Sequence, residues 1–143
     1  MYKKILIPTD GSKHALKAAK HSLWLSNKSQ GEIIVLHIVE TSSFSNIRAR
    51  DLKYEMKNML KDEGDQAITE IIQMSRNNDL NVKIVPRVEE GSAADKILDV
   101  ADEESVDLII MGTSGKHGID RFLIGSVAEK VVRNSTKPVM VVH

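Results

Sequence analysis

The chain has 143 residues, 41% hydrophobic and 3% aromatic, with 20 Lys plus Arg balanced by 20 Asp plus Glu and no cysteine. That length and composition suit one compact domain with an aliphatic core. Balanced charge gives no general pull toward nucleic acid or an anionic membrane, few aromatics remain for base stacking, and disulfides and thiolate chemistry are excluded.

The start, Met1-Tyr2-Lys3-Lys4, leads into Ile5-Leu6-Ile7-Pro8, an apolar run far too short for a signal-peptide core. No other stretch approaches a membrane span, so the expectation is a cytoplasmic protein with neither membrane nor nucleic acid as partner. Ile5 to Pro8 reads as a first strand, and Gly11-Ser12 opens a helix through about Leu25 with Ala15, Leu16, Ala19 and Leu23 on one face. Ile33 to Val39, interrupted only by His37, is apolar on both faces and reads as a buried parallel strand.

Thr41 to Arg50 is polar and without period, a loop by its composition. Asp51 to about Asn77 carries a helical stripe of Leu52, Met56, Met59, Leu60, Ala67, Ile68, Ile71 and Ile72, which reads as core-facing rather than as a cofactor box. Val82, Ile84 and Val88 alternate. Pro86 within that run cannot donate to a ladder, which places the strand at a sheet edge. Ser92 to Glu104 reads as a helix with Ala94, Ile97, Leu98 and Ala101 inward, and Ser92 with Asp95 fits a capping box. Val106 to Met111 is a second doubly buried strand, Gly112 to Gly125 a glycine-bearing loop, Ser126 to Arg133 a helix, and Val139 to Val142 a last strand. The alternation predicts a doubly wound α/β sheet of five parallel strands with helices on both faces, in one domain over residues 1–143.

In such a sheet ligands bind beyond the carboxyl ends of the strands, where the winding reverses. Two segments qualify: Pro8-Thr9-Asp10-Gly11-Ser12, and the stretch from Gly112-Thr113-Ser114-Gly115 to Gly125-Ser126. In the second, Gly112-x2-Gly115-x9-Gly125-Ser126 would let backbone N–H groups approach an anion, and Ser126 would open a helix whose positive end favours phosphate. Lys116, Arg121 and Lys130 would add positive charge. The same residues also have a plain structural reading: Gly115 and Gly118 as turns, Ser126 with Glu129 as a capping box, and Asp10 as an Asx turn rather than a ligand contact. No Walker A loop, G-x-G-x-x-G turn or G-x-S-x-G elbow is present. His14, His21, His37, His117 and His143 lack metal-ligand spacing and read as surface or core padding.

Lys3-Lys4-Ile5-Leu6-Ile7-Pro8-Thr9-Asp10-Gly11-Ser12 resembles the opening of a universal stress protein. So do Val35-Leu36-His37-Ile38-Val39, Asp107 to Gly112, and the tail from Gly125-Ser126-Val127-Ala128-Glu129-Lys130 to Lys137-Pro138-Val139. The glycine-serine spacing is that of the ATP-binding branch of the family. The resemblance implies a Rossmann-like sheet ordered 3-2-1-4-5 and ATP as ligand. Pro8, Thr9 and Asp10 would face the nucleoside, the Ile38 backbone would meet adenine, and Met111 and Gly112 would flank the ribose. Gly115, Gly125, Ser126 and Val127 would hold phosphates, with a divalent metal such as Mg as a companion of unassigned identity. Ser114 stands where the family often has His or Arg, and Ala128 where many ATP binders carry a hydroxyl.

Asp10 is the candidate carboxylate for a general base and the resemblance turns it toward the nucleoside, so no catalytic residue is assigned. The expected role is a nucleotide-responsive switch or stress-linked binding protein. A slow ATPase or a phosphate or adenylate transferase is the alternative, and a dimeric interaction module that binds no nucleotide a second. Val139-Met140-Val141-Val142 is apolar throughout, without charge or internal proline to deter pairing. In the implied order it is an edge, and a homodimer through that strand is expected.

Overall fold

The computed structural model describes residues 1–114 and 124–143. In chain order the elements are β1 (Lys4–Pro8), α1 (Lys13–Ser29), β2 (Glu32–Val39), a 3₁₀ turn (Thr41–Phe44), α2 (Arg50–Asn77), β3 (Lys83–Glu90), α3 (Ala93–Glu103), β4 (Leu108–Gly112), α4 (Ser126–Asn134) and β5 (Val139–Val142). The strands form one parallel sheet in the order β3-β2-β1-β4-β5. Pro86 does lie on an edge strand, opposite Val35 of β2.

Alternation along the central strands splits the core into two layers. Leu6, Ile34, Leu36, Ile109 and Met111 face α3 and α4, meeting Ala94, Ile97, Val100, Ala101, Ala128 and Val131. Ile5, Ile7, Ile33, Val35, Leu108 and Ile110 face α1 and α2, meeting Ala18, Ala19, Leu23, Ile68 and Ile71. Both faces being covered is why these strands read as unbroken apolar runs. Each fully buried Ile or Leu contributes about 1.5–3 kcal/mol relative to exposure.

Three local expectations change. The segment after β2 is not wholly a loop: it holds the 3₁₀ turn, and Phe44 is buried. The first half of the α2 stripe is not core: Leu52 is 47% and Met59 63% exposed, while the buried residues begin at Gly64. The reason is length. The 28 residues of α2 span about 42 Å, whereas the 8 residues of β2 span about 26 Å. As a crossover helix, α2 starts above the carboxyl ends of the strands, so its first turns overhang the sheet there. Finally, in α3 Val100 takes the fully buried place given to Leu98, which is half-buried against the same core. Ser92 is the N-cap there but makes no side-chain bond to the helix N–H groups. Asp95 has its carboxyl held below its ordinary value chiefly by Lys130 and further by Ser92.

Candidate functional site

The winding reverses between β1 and β4. α1, which follows β1, covers one face of the sheet, and α4, which follows β4, covers the other. The β1–β4 ladder registers Ile5 with Leu108 and Leu6 with Ile109. Beyond it β1 stays with β2 as far as Pro8 opposite Leu36, and β4 stays with β5 as far as Gly112 opposite Val142. The two strands therefore part at their carboxyl ends, the place where open α/β sheets take ligands.

On the β1 side, a chain of short bonds shapes the loop. The Thr9 N–H donates to the Leu36 carbonyl at 2.8 Å. Thr9 Oγ1 accepts the Gly11 N–H at 3.2 Å and Asp10 Oδ1 accepts the Ser12 N–H at 2.9 Å. Gly11 sits at φ +77, a conformation that glycine adopts without strain. Ser12 then caps α1, its hydroxyl accepting the Ala15 N–H at 3.2 Å. Asp10 thus makes the Asx turn that its sequence context allowed, and it is half-buried. Thr9 is buried and Pro8 half-buried.

On the β4 side, the Thr113 N–H donates to the Val142 carbonyl at 3.0 Å, and the Gly125 N–H donates to the Thr113 carbonyl at 2.6 Å. Residues far apart in sequence, Gly112 to Ser114 and Gly125 to Val127, are thereby brought together. Gly125 is the N-cap of α4 and Ser126 its first helical residue, so the Ser126–Glu129 capping box does not form. The first helical bond of α4 runs from the Glu129 N–H to the Gly125 carbonyl. The N–H groups of Ser126, Val127 and Ala128 accordingly have no carbonyl to reach within the helix. Ser126 is exposed and Val127 half-buried, while Ala128 is buried and packs its methyl into the core.

Ile38 lies near the end of β2, opposite Glu89, with its side chain against the α3/α4 core. The Met111 side chain is buried in that core, so toward the crevice it offers backbone. Gly115, Lys116 and Arg121 lie outside the described residues, as do His117 and Gly118. Lys130 is engaged elsewhere, paired with Asp95 at 2.8 Å. Among the described residues no group of three or more His, Asp or Glu is arranged to hold a metal ion. A cleft of about 570 Å³ lies nearby over the ends of β2 and β3, lined by Thr41, Ser42, Phe44, Ser45, Lys53, Gly91 and Ser92. None of the expected nucleotide-binding residues lines it.

Two histidines read as padding prove to frame the site. His14 Nδ1 is 3.5 Å from Thr113 Oγ1, linking the first turn of α1 to the end of β4. A Cβ on Gly112 would stand 2.7 Å from His14 Cβ and 2.8 Å from the His14 carbonyl carbon. Gly112 is therefore needed for the seating of α1 as well as for any approach of a ligand. His37 Nδ1 lies 2.9 Å from the Thr9 carbonyl and is buried. The signal for His37 was its place: a lone polar residue at the carboxyl end of a doubly buried strand.

A model of the universal stress protein family matches residues 1–143. The chain is 39% identical over 142 residues to universal stress protein MJ0531 of Methanocaldococcus jannaschii, covering 99% of this chain and 82% of that one. It superposes on the solved structure of the hypothetical protein MJ0577 with a TM-score of 0.84 at 34% identity, covering 99% and 96% of the two chains. MJ0577 is a universal stress protein of the same organism. A universal stress protein solved in complex with cAMP aligns at 25% identity and a TM-score of 0.63, covering 99% and 97%. Among the described residues, no helix is long and apolar enough to cross a membrane.

Proposed function

The chain belongs to the universal stress protein family, and on that footing we propose that it binds ATP in the crevice between β1 and β4 and acts as a nucleotide-responsive binding protein in the stress response. The observation that carries this reading is the Gly125–Thr113 bond, which sets the start of α4 beside the end of β4. Backbone N–H groups without helical partners and the positive end of a helix dipole would then face the crevice, a combination suited to phosphate. The described residues fit a nucleotide in that respect, with Asp10 across the crevice as a carboxylate suited to a ribose or base donor. Pro8, Thr9, Ile38, Met111 and Gly112 would complete the nucleoside end, and Gly125, Ser126, Val127 and Gly115 the phosphate end. A divalent ion would arrive with the phosphates.

Support from relatives is chemical kinship: one member of the family was solved with cAMP, which shares the adenosine and a phosphate with ATP. The choice of ATP rests on the Gly112-x2-Gly115-x9-Gly125-Ser126 spacing. Efficient turnover is not part of the proposal, and the functional unit is a homodimer formed through β5. Mass spectrometry of the small molecules that co-purify, followed by calorimetry with ATP, AMP and cAMP, tests the reading. ATP is expected to be bound tightest. A protein that carries no nucleotide and gives no heat with ATP overturns it, and tighter binding of cAMP replaces the ligand.

A further inference from the structure

Two residues in this fold are poor local choices that explain each other. Gly64 stands in the middle of a 28-residue helix, where glycine is among the least favourable residues. His37 is the one histidine in the buried class among the described residues, set on a strand whose neighbours are aliphatic. A Cβ at Gly64 would stand 2.6 Å from His37 Cγ and 2.7 Å from His37 Nε2. The helix therefore lacks a side chain where the imidazole ring lies against it. One helical turn further on, Ala67 meets the first loop: its Cβ would be 3.5 Å from a Cβ on Gly11. Gly64 and Ala67 share one face of α2, and that face roofs His37 and the Thr9–Gly11 loop together.

The other edge of the ring reaches the loop itself. His37 Nδ1 is 2.9 Å from the Thr9 carbonyl. A carbonyl oxygen only accepts, so Nδ1 carries the proton and donates. The Thr9 carbonyl lies one residue beyond the last β1–β2 register pair, Pro8 with Leu36. It shares a rigid peptide plane with the Asp10 N–H, so holding the carbonyl fixes the direction in which the chain enters Asp10.

We propose that His37, seated on Gly64, is a positioning residue for the nucleotide loop: its Nδ1–H orients the Thr9–Asp10 peptide and so aims Asp10 into the crevice. The role rests on the nucleotide reading above. It makes α2 part of the site without any contact to the ligand, since the ring can hold that carbonyl only while Gly64 leaves it room.

The test compares wild type with His37→Leu, His37→Asn and Gly64→Ala, using ATP as the probe. His37→Leu fills the space without a donor, and His37→Asn returns an amide N–H near the place of Nδ1. His37→Leu is expected to lose affinity on the order of tenfold, and His37→Asn to recover most of it. Gly64→Ala, which keeps His37 but crowds the ring, is expected to lose affinity too. Amide hydrogen exchange without ligand gives a second readout: the Gly11 and Ser12 N–H groups should exchange faster in His37→Leu and return toward wild type in His37→Asn. Should His37→Leu fail to fold, Gly64→Ala and His37→Asn carry the same comparison. Wild-type affinity together with wild-type exchange in His37→Leu overturns the proposal, as does an Asn variant no better than Leu. A wild type that does not bind ATP counts against the nucleotide reading, and the exchange measurements then decide His37 alone.

Discussion

The Gly125 N–H donates to the Thr113 carbonyl at 2.6 Å, a bond that holds the start of α4 against the residue following β4. A Cβ on Gly125 would stand 2.9 Å from that same carbonyl. Gly125→Ala should push the helix start away and reduce ATP affinity. Gly112→Ala meets a different obstacle, the His14 backbone, with 2.8 Å to its carbonyl carbon. Backbone yields little, so Gly112→Ala should lower stability by about 1–3 kcal/mol, as overpacking does. Urea denaturation measures the loss, and an unchanged midpoint would refute the close approach. Any affinity measured on a Gly112 variant has to be read beside its stability.

Asp10 separates into a turn-forming role and a ligand role. Its Oδ1 accepts the Ser12 N–H at 2.9 Å. Asp10→Asn keeps an oxygen for that bond and removes the charge, while Asp10→Ala removes both. Stability should hold in Asn and fall by about 0.5–1.5 kcal/mol in Ala. If the carboxylate contacts the nucleotide, ATP affinity should fall in both. Affinity equal to wild type in Asp10→Asn would confine the residue to the turn.

Much of this frame was readable because buried parallel strands announce themselves. Ile33 to Val39 and Leu108 to Met111 are apolar on both faces, and Pro86 marks an edge. The overhang of α2 was not readable, since a helical stripe says that a helix has an apolar face but not what covers it. Phe44 looked like one aromatic in a polar stretch, and only the 3₁₀ turn buries it. His37 and His14 were missed because their partners, Thr9 and Thr113, lie 28 and 99 positions away. Local spacing carries no trace of such contacts. Gly64 reads as a flaw in a helix until the ring beside it is seen.

Hydrolysis of ATP should be slow. The one carboxylate of the β1 loop already has an oxygen engaged by the Ser12 N–H. A site without a positioned base forgoes a factor of roughly a hundred to ten thousand in rate. Phosphate release by the purified protein should stay far below about ten per second, the usual enzyme median. Turnover at that rate, lost in Asp10→Asn, would make the protein an enzyme.

Acid should loosen the overhanging part of α2. Glu90, at the end of β3, pairs with Lys57 at 2.9 Å and Lys61 at 3.6 Å, both on α2. The hydrogen bond from Lys57 is the largest cause holding the Glu90 carboxyl below its ordinary value of 4.5, and the charges of both lysines add to it. A lowered folded value means the contribution is present above the ordinary value and is lost as pH falls through the folded one. The pair is well exposed, so the effect is small and screened by salt. Glu90→Gln should melt below wild type at neutral pH in low salt, and the gap should close as pH falls below the ordinary carboxylate value of 4.5 and through the lowered folded one. A gap that persists in acid would remove the ion pair as its cause.

β5 should pair with itself across a two-fold axis. It bonds β4 on one side, in register from Val139 opposite Ile109 to Val142 opposite Gly112. The Ile109 N–H takes the Pro138 carbonyl and the Thr113 N–H takes the Val142 carbonyl. Even-numbered residues therefore turn their backbone groups toward β4, and alternation turns those of Val139 and Val141 outward. Those outward groups form an edge with no charged residue and no proline among Val139 to Val142, and Met140 is 40% exposed beside them. A second copy, antiparallel across the axis, would satisfy both outward pairs at once. Light scattering across a dilution series should give twice the chain mass for wild type. Val141→Pro removes an outward donor while leaving the β4 ladder intact, and should give a folded monomer. Met140→Pro strikes the inward ladder instead and should lower the melting temperature of the subunit itself. A wild type that stays monomeric at high concentration, or a Val141→Pro protein that remains dimeric, would show that β5 is not the seam.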